Sequence, residues 1–252
     1  LKSESEMGNG MSEVLKGIFV GNFRDSKDET QLGNNNITHI LSIHDNAKPI
    51  RPDKEYLCFS ADDAPGQNLI QFFSESNNFI HKCRLEGGNV LIHCLAGVSR
   101  SVTLTVAYMM TVTDYKWEDC LRAVKTCRTV AHPNFGFQRQ LQEYEYSKLA
   151  EYKEDIRLKF PEYSPEEDIK KMQALLEKYH QENKDPNQGR EPHEGFIYPL
   201  PRNAYNIRIK KEKEAREKAE AQGSTGTTES TASATSEDSS ENAGMPFADQ
   251  QD

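Results

Sequence analysis

The stretch of chain from residue 90 to residue 112 constrains the fold more than any other. It begins with the β-branched run Val90-Leu91-Ile92, passes through a short loop of small and polar residues, and continues as an apolar repeat of helical spacing over residues 101–112. A run that is apolar at every position is typical of a strand buried on both faces, as in parallel sheets. The order strand, tight loop, helix therefore predicts a βα unit inside a mostly parallel sheet.

Further strand and helix patterns surround this unit. Runs rich in β-branched and aromatic residues predict strands at residues 18–20, 38–43 and 56–59. Apolar residues at helical spacing predict helices at residues 68–85, 116–127 and 135–152. The pair Gly87-Gly88 is expected to end the first of these helices in a left-handed cap. Alternating strands and helices indicate an α/β fold whose mostly parallel central sheet is flanked by helices.

Composition divides the chain into four parts. Hydrophobic residues make up 35% of it and the mean hydropathy is −0.81, so the core must be concentrated in one region. We expect a flexible N-terminus (1–13), a compact domain (14–152), a charged helical extension with a linker (153–222) and a disordered tail rich in Ser, Thr and acids (223–252).

Two charged helices are predicted in the extension. The run Ser164-Pro165-Glu166-Glu167 has the pattern of a capping box with proline at the first helical position, and the helix it opens should end near residue 183. Residues 208–222 form the second, with mixed charges at supportive spacing. The role of the extension stays open, and a solvated spacer is the default.

Charge and cysteine content exclude some classes of protein. The tail 223–252 holds six acids and no Lys or Arg, so removing those six from the net charge of −9 leaves −3 for the rest. Nothing in that balance indicates nucleic-acid binding. The five cysteines are an odd number without framework spacing, and no secretory leader precedes them, so we expect a reducing, cytoplasmic compartment. The seven histidines are dispersed, which predicts no metal cofactor.

The loop that follows the strand has the features of an anion site. We call residues 93–101 the cysteine loop; it begins His93-Cys94 and ends Arg100-Ser101. Backbone N–H groups in such a turn, with a helix N-terminus behind them, bind a dianionic phosphate without metal. The residues expected to line the phosphate are Leu95, Ala96, Gly97, Val98, Ser99 and Arg100.

Three residues of the cysteine loop have specific predicted roles. Gly97 permits the close backbone approach that a side chain would block. Arg100 can hold two phosphate oxygens bidentately, which Lys could not do. Cys94 lies where a helix N-terminus and cationic neighbours lower the pKa of a thiol, and its thiolate would attack phosphorus in line. His93 is expected to tune that thiolate, whereas the other cysteines, Cys58, Cys83, Cys120 and Cys127, are expected to be structural.

These residues resemble a known family. The pattern His93-Cys94-x-x-Gly97-x-x-Arg100-Ser101 matches the protein tyrosine phosphatase signature, and its surroundings resemble an atypical dual-specificity phosphatase. Further matching runs are Gly17-Ile18-Phe19-Val20-Gly21-Asn22, Thr38-His39-Ile40-Leu41-Ser42 and Asn134-x-Gly136-Phe137-x-x-Gln140-Leu141. The resemblance covers about residues 7–150. It implies a cysteine-dependent phosphatase fold and a catalytic domain at 14–152.

The resemblance also implies roles for residues outside the phosphate contacts. The family uses an aspartate on a separate loop as general acid; Asp63 matches it, with Asp62 as the runner-up. Ser101 matches the hydroxyl that assists breakdown of the phosphocysteine, and Asn134 matches an asparagine that braces the loop.

Substrate expectations follow from the same family. The small domain implies a shallow pocket that accepts phosphotyrosine and phosphoserine or phosphothreonine in proteins, with MAP-kinase pathway proteins among the partners. The neutral residues inside the loop make a polyphosphoinositide substrate a poorer fit.

The N-terminus carries a candidate lipidation site. Met7-Gly8-Asn9-Gly10-Met11-Ser12 fits the N-myristoylation pattern if Met7 is the true start, and the family subset beginning Met-Gly-Asn-Gly-Met is acylated there. Six residues precede Met7, which are either translated upstream sequence or an added remnant. Acylation of Gly8 would give reversible membrane association, because one chain without a polybasic cluster anchors only weakly.

Three other functions fit these residues less well. A pseudophosphatase that captures phosphoproteins is disfavoured, because nucleophile, arginine and acid are all present. Sulfur transfer by a rhodanese-like loop is disfavoured by the position of Arg100. A metallophosphatase fits least, since no ligand cluster is visible.

Overall fold

One five-stranded sheet organises the part of the chain that the structure describes. The computed structural model describes residues 10–183. The strands are β1 (Ser12–Leu15), β2 (Ile18–Gly21), β3 (Ile37–Ile43), β4 (Glu55–Phe59) and β5 (Asn89–His93), in the order β1-β2-β5-β3-β4. All neighbours pair in parallel except β1, which runs antiparallel to β2. The predicted α/β fold with a mostly parallel sheet is confirmed.

Seven α-helices surround the sheet within residues 10–183. They are α1 (Glu29–Asn34), α2 (Ile70–Leu85), α3 (Arg100–Val112), α4 (Trp117–Cys127), α5 (Phe135–Ser147), α6 (Leu149–Lys159) and α7 (Glu166–Glu182) among the residues described. The predicted cap of α2 is confirmed, because Gly87 has φ of 77° and the Gly88 N–H donates to the Cys83 carbonyl at 2.9 Å. The helix predicted over 135–152 is instead two helices, interrupted at Lys148. The break comes one residue after Ser147, whose hydroxyl donates to the Glu143 carbonyl at 2.7 Å.

The two faces of the sheet are covered unequally. On one face, every residue of α3 is buried, and α3 packs with α2, α4 and α5 into the larger core. On the other face, α1 contributes Leu32 to a small cluster with Phe19, Ile40 and Leu91. The central strand β5 therefore lies between two apolar layers, and its carboxyl end leads directly into the cysteine loop.

The N-terminal boundary was predicted too far along the chain. Ser12 and Glu13 belong to β1, and the following Val14 and Leu15 are fully buried. A four-residue strand gives too short a pattern to identify from sequence, and its pairing with β2 is what orders it. Residues 1–9 and 184–252 lie outside the described part, and with them Gly8, the helix predicted at 208–222 and the tail 223–252.

The predicted capping box at Ser164 does not form. Helix α7 begins at Glu166 with Pro165 at its N-cap and no side-chain capping bond. Glu167, which would have to fold back toward Ser164, instead binds the Lys16 ammonium at 3.0 Å. A contact with the β1–β2 turn has replaced the local cap.

A buried ion pair holds helix α7 against the rest of the domain. Both guanidinium nitrogens Nη1 and Nη2 of Arg84 bind the Asp168 carboxylate, at 2.8 and 2.7 Å, and the hydroxyl of Tyr163 donates to the same carboxylate. Arg84 also donates to the Tyr108 hydroxyl at 2.9 Å. Because Met172 of α7 is fully buried as well, α7 is part of the domain core, and the predicted boundary at residue 152 marks no structural division among the described residues.

Asp168→Ala should destabilise the protein by about 3–5 kcal/mol, because it leaves the Arg84 guanidinium buried without its counter-charge. Urea unfolding measures this. The matched control is Glu182→Ala, which removes an exposed acid of the same helix paired with Lys178 and should change stability by less than about 0.5 kcal/mol. A loss below about 1 kcal/mol for Asp168→Ala would show that α7 is not held by this pair.

Candidate active site

The cysteine loop encloses a buried sulfur. Cys94 is only 1% exposed, and its Sγ accepts hydrogen bonds from the Gly97 N–H at 3.2 Å and the Ser101 hydroxyl at 3.3 Å. Gly97 has φ of 68°, and a Cβ added to it would lie 2.5 Å from the carbonyl oxygen of Gly21. Both the backbone angle and the close approach therefore require glycine at this position.

The surroundings of Cys94 favour the thiolate. Burial alone raises the pKa of its thiol, but hydrogen bonds from the Ser101 hydroxyl and from the backbone N–H groups of Ser101, Val98 and Gly97 more than offset this, so the pKa lies below its usual range. Burial instead raises the pKa of the other four cysteines, Cys58, Cys83, Cys120 and Cys127. One cysteine is activated and four are not.

Three carbonyls of the loop point away from the sulfur, and each has its own donor. The Leu95 carbonyl accepts from the Phe23 N–H at 3.2 Å, and the Val98 carbonyl accepts from the His132 N–H at 2.8 Å. The Gly97 carbonyl accepts from Nε of Arg128 at 2.6 Å. Sequence reasoning missed all three donors, because they lie far from the loop along the chain and no local pattern marks them.

Arg100 lies beside the loop and contacts the segment that carries the predicted acid. It is 5% exposed, its Nη1 donates to the Ala61 carbonyl at 2.9 Å, and the Asp45 carboxylate is 3.5 Å from the same nitrogen. Its Nε is 3.7 Å from Oδ2 of Asp63 and has no hydrogen-bond partner within residues 10–183. The guanidinium therefore keeps a donor that a phosphate oxygen could use.

Asp63, not Asp62, faces the cysteine loop. Its Oδ1 accepts from the Ser99 hydroxyl at 2.7 Å and from Nδ2 of Asn134 at 2.9 Å. Asp62 is exposed, and its backbone N–H donates to the Gln67 side chain at 3.2 Å. The preference for Asp63 agrees with this geometry.

Asn134 connects three parts of the site. Its Oδ1 accepts from the Phe137 N–H at 3.1 Å and caps α5, its Nδ2 binds Asp63, and its backbone N–H donates to the Ser99 hydroxyl at 3.2 Å. It thus lies where the expected bracing role requires.

Two further residues of the same motif hold the acid loop, residues 60–69. A Cβ on Gly136 would overlap the carbonyl of Pro65, so the first turn of α5 packs directly on this loop. Gln140 accepts from the Leu69 N–H at 2.6 Å and donates to the Gln67 carbonyl at 2.7 Å. The motif from Asn134 to Gln140 therefore fixes where Asp63 lies.

His93 acts on the main chain and does not contact the sulfur. Its Nδ1 is 3.2 Å from the Cys94 carbonyl, and since a carbonyl only accepts, Nδ1 carries the proton. Burial lowers the pKa of His93 to about 4, with nearby His44 lowering it further and the bond to Cys94 opposing both. The imidazole is therefore neutral at neutral pH, and any tuning of the thiolate by His93 is indirect.

Comparison with known proteins agrees with this geometry. The profile of the dual specificity phosphatase catalytic domain matches residues 18–147. The chain belongs to the dual specificity phosphatase family. Over 170 residues it is 51% identical to human dual specificity protein phosphatase 22, covering 68% of this chain and 92% of that protein. Mouse dual specificity protein phosphatase 15 is 46% identical over 170 residues, covering 68% of this chain and 72% of that protein.

A solved relative has the same fold. The crystal structure of DUSP15 superposes with a TM-score of 0.59 at 46% identity and covers 61% of this chain and 98% of that one. Helices α6 and α7 lie beyond the region matched by the family profile. This chain is a dual-specificity protein phosphatase, as its fold, its loop and its relatives agree.

Residues 10–183 contain neither a candidate metal site nor a candidate membrane span. No group of three or more His, Cys, Asp or Glu side chains in this part of the chain could hold a metal ion. No helix within it is long and apolar enough to cross a membrane.

Ser101→Ala should raise the pKa of Cys94, because it removes the hydroxyl donor and leaves only backbone donors on the sulfur. We expect the pH profile of alkylation of the Cys94 peptide by iodoacetamide to move up by roughly one pH unit, the equivalent of one hydrogen bond to a charged group. Ser147→Ala, which removes a hydroxyl on α5 bonded only to the Glu143 carbonyl, is the control and should leave the profile unchanged. An unchanged profile in Ser101→Ala would mean that this hydroxyl does not stabilise the thiolate.

Proposed function

We propose that this phosphatase hydrolyses phosphotyrosine, phosphoserine and phosphothreonine in proteins through a phosphocysteine formed on Cys94. The observation that carries the proposal is the position of the Cys94 sulfur, which lies beneath inward-facing N–H groups. Asp63, on a separate loop, is hydrogen-bonded to Ser99 at the rim of the same site. The N–H groups bind the phosphate dianion, and Arg100 supplies the positive charge beside it.

The first step transfers the phosphoryl group to the enzyme. The Cys94 thiolate attacks phosphorus, an S–P bond forms, and the bond between phosphorus and the oxygen of the substrate residue breaks. Asp63 gives its proton to that oxygen, so the residue leaves as a neutral alcohol or phenol. Because Oδ1 of Asp63 already accepts from Ser99 and Asn134, the transferred proton resides on Oδ2.

The second step releases phosphate. Water attacks phosphorus, the Asp63 carboxylate takes a proton from that water, and the S–P bond breaks with Cys94 leaving as thiolate. The Ser101 hydroxyl, which lies 3.3 Å from the sulfur, donates to the departing thiolate and lowers the barrier of this step. Inorganic phosphate leaves and the starting state of the enzyme is restored.

The neutral loop favours phosphoprotein over polyphosphoinositide substrates. Between Cys94 and Arg100 no side chain carries a charge that would select a second phosphate. Leu95 is 45% exposed and presents an apolar surface at the mouth of the site. By family resemblance the partners include MAP-kinase pathway proteins, and identification of the phosphoproteins retained by an Asp63→Ala variant tests that assignment.

Gly8 is proposed as an N-myristoylation site that gives a cytoplasmic enzyme reversible access to membranes. The sequence pattern Met7-Gly8-Asn9-Gly10-Met11-Ser12 supports this.

Asp63→Asn should reduce turnover of a phosphoserine peptide by about 10²–10³-fold, because the alkoxide then leaves without a proton. The loss on p-nitrophenyl phosphate should be much smaller, since p-nitrophenolate is a good leaving group. Steady-state kinetics on both substrates measure this, with Cys94→Ser as the variant expected to abolish both activities.

Asp62→Asn is the matched control, one residue away on the same loop, and should keep turnover within about twofold. Equal losses in the two variants would contradict the assignment of the acid. A wild-type chain that binds phosphopeptides without turnover would favour the pseudophosphatase.

A chain that starts at Met7 and is co-expressed with an N-myristoyltransferase should carry one myristoyl group, as measured by intact mass. It should sediment only in part with lipid vesicles, because one acyl chain gives an association constant of only about 10⁴ M⁻¹. Gly8→Ala should remain unmodified and stay in the supernatant. An unmodified wild-type N-terminus would refute the proposed lipidation.

A further inference from the structure

Arg128 is a buried cation that lies between Gly97 of the cysteine loop and Gly10, two residues before β1. It follows the last residue of α4 and is 3% exposed. Its Nε donates to the Gly97 carbonyl at 2.6 Å and its Nη1 donates to the Gly10 carbonyl at 3.0 Å. A buried guanidinium is costly unless its charge is paired and its donors are satisfied, and Nη2 of Arg128 has no hydrogen-bond partner in the described chain.

The bond to Gly97 determines which way one N–H group of the loop points. In a trans peptide the carbonyl and the next N–H point in opposite directions, so holding the Gly97 carbonyl outward turns the Val98 N–H inward. The Val98 N–H is among the groups that lower the pKa of the Cys94 thiol. A peptide next to a glycine rotates with little steric resistance, and Gly97 already has φ of 68°. This peptide therefore needs an external partner to hold it.

The neighbouring carbonyls are held differently. Those of Leu95 and Val98 bond to the backbone N–H groups of Phe23 and His132, which only a substitution to proline would remove. Of these three carbonyls, that of Gly97 is the one held by a side chain. The orientation of its peptide thus depends on the identity of residue 128.

Gly10, whose carbonyl accepts from Arg128, is also fixed in place. The Gly10 N–H donates to Oδ1 of Asp25 at 3.1 Å, and Oδ2 of this buried aspartate accepts from the Asn22 N–H at 2.7 Å. Asp25 also attracts the charge on Arg128. The Gly10 carbonyl is therefore a rigid second acceptor, and it fixes the plane of the guanidinium.

We propose that Arg128 is a positioning residue of the phosphatase reaction: it holds the Gly97–Val98 peptide with its N–H turned toward the bound phosphate, and the Gly10 carbonyl serves as its second acceptor. The inference rests on the phosphocysteine mechanism proposed above. It assigns to Gly10 a part in keeping the site ordered. It also gives a reason why a buried arginine lies behind a loop that already contains Arg100.

The test compares Arg128→Met and Arg128→Lys with Arg157→Met, which replaces an exposed arginine of α6 paired with Glu154. The readouts are kcat and KM on p-nitrophenyl phosphate and inhibition by orthovanadate, which occupies the same N–H groups. Arg128→Met should lower kcat by about tenfold or more and weaken vanadate by a similar factor, as expected for the loss of one preorganised donor to the transition state. Arg128→Lys should be intermediate, since an ammonium cannot hold two carbonyls in the plane of a guanidinium.

Loss of stability is separated from loss of positioning by a second variant. Leu175→Ala removes a buried side chain of α7 and should lower Tm without changing vanadate inhibition in the folded protein. The proposal is overturned if folded Arg128→Met stays within twofold of Arg157→Met in kcat and vanadate inhibition. If Arg128→Met does not fold, wild-type vanadate inhibition in Arg128→Lys overturns it. Turnover that survives Cys94→Ser would instead refute the phosphocysteine mechanism and leave a different reaction to explain.

Discussion

A loop without charged residues between its cysteine and its arginine can hold a dianion only if several of its N–H groups face the same point. Each peptide that turns its N–H inward must turn its carbonyl outward, and a buried carbonyl needs a donor. In this protein the donors for Leu95, Gly97 and Val98 come from Phe23 after β2, Arg128 after α4 and His132 before α5. The anion site therefore exists only when these distant segments are in place, which explains why so small a motif requires a whole domain.

The position of Asp63, the proposed general acid, also depends on a distant segment of the chain. Asp63 lies on a loop between β4 and α2, yet its position is set by α5 through Asn134, Gly136 and Gln140. The Ser99 hydroxyl then joins Asp63 to the cysteine loop at 2.7 Å. Hydrogen bonds between side chains thus set the position of Asp63, the proposed acid, relative to the loop that holds Cys94, the proposed nucleophile. Under the proposed mechanism, a change in α5 should alter catalysis without contact to the substrate.

Local patterns predicted the parts of this arrangement that are local. The apolar run of β5, the repeat of α3 and the glycine pair after α2 each specify their own structure, so the βα unit and the position of Cys94 followed from sequence. Strand β1 and the docking of α7 did not, because the first is ordered by pairing with β2 and the second by the Arg84–Asp168 ion pair. Asp63 was preferred on family resemblance alone. Arg128 was missed because nothing near it in the sequence shows that Gly97 and Gly10 converge on it.

The measurement that tests the central claim most directly is capture of the covalent intermediate. Rapid acid quench of the wild-type chain during turnover of a phosphotyrosyl peptide, followed by proteolysis and mass spectrometry, should find one added phosphoryl group on the peptide that contains Cys94. The label should disappear after longer incubation, when substrate is exhausted and water has cleaved the S–P bond. A phosphoryl group on any other residue, or turnover with no labelled cysteine at any quench time, would contradict the account.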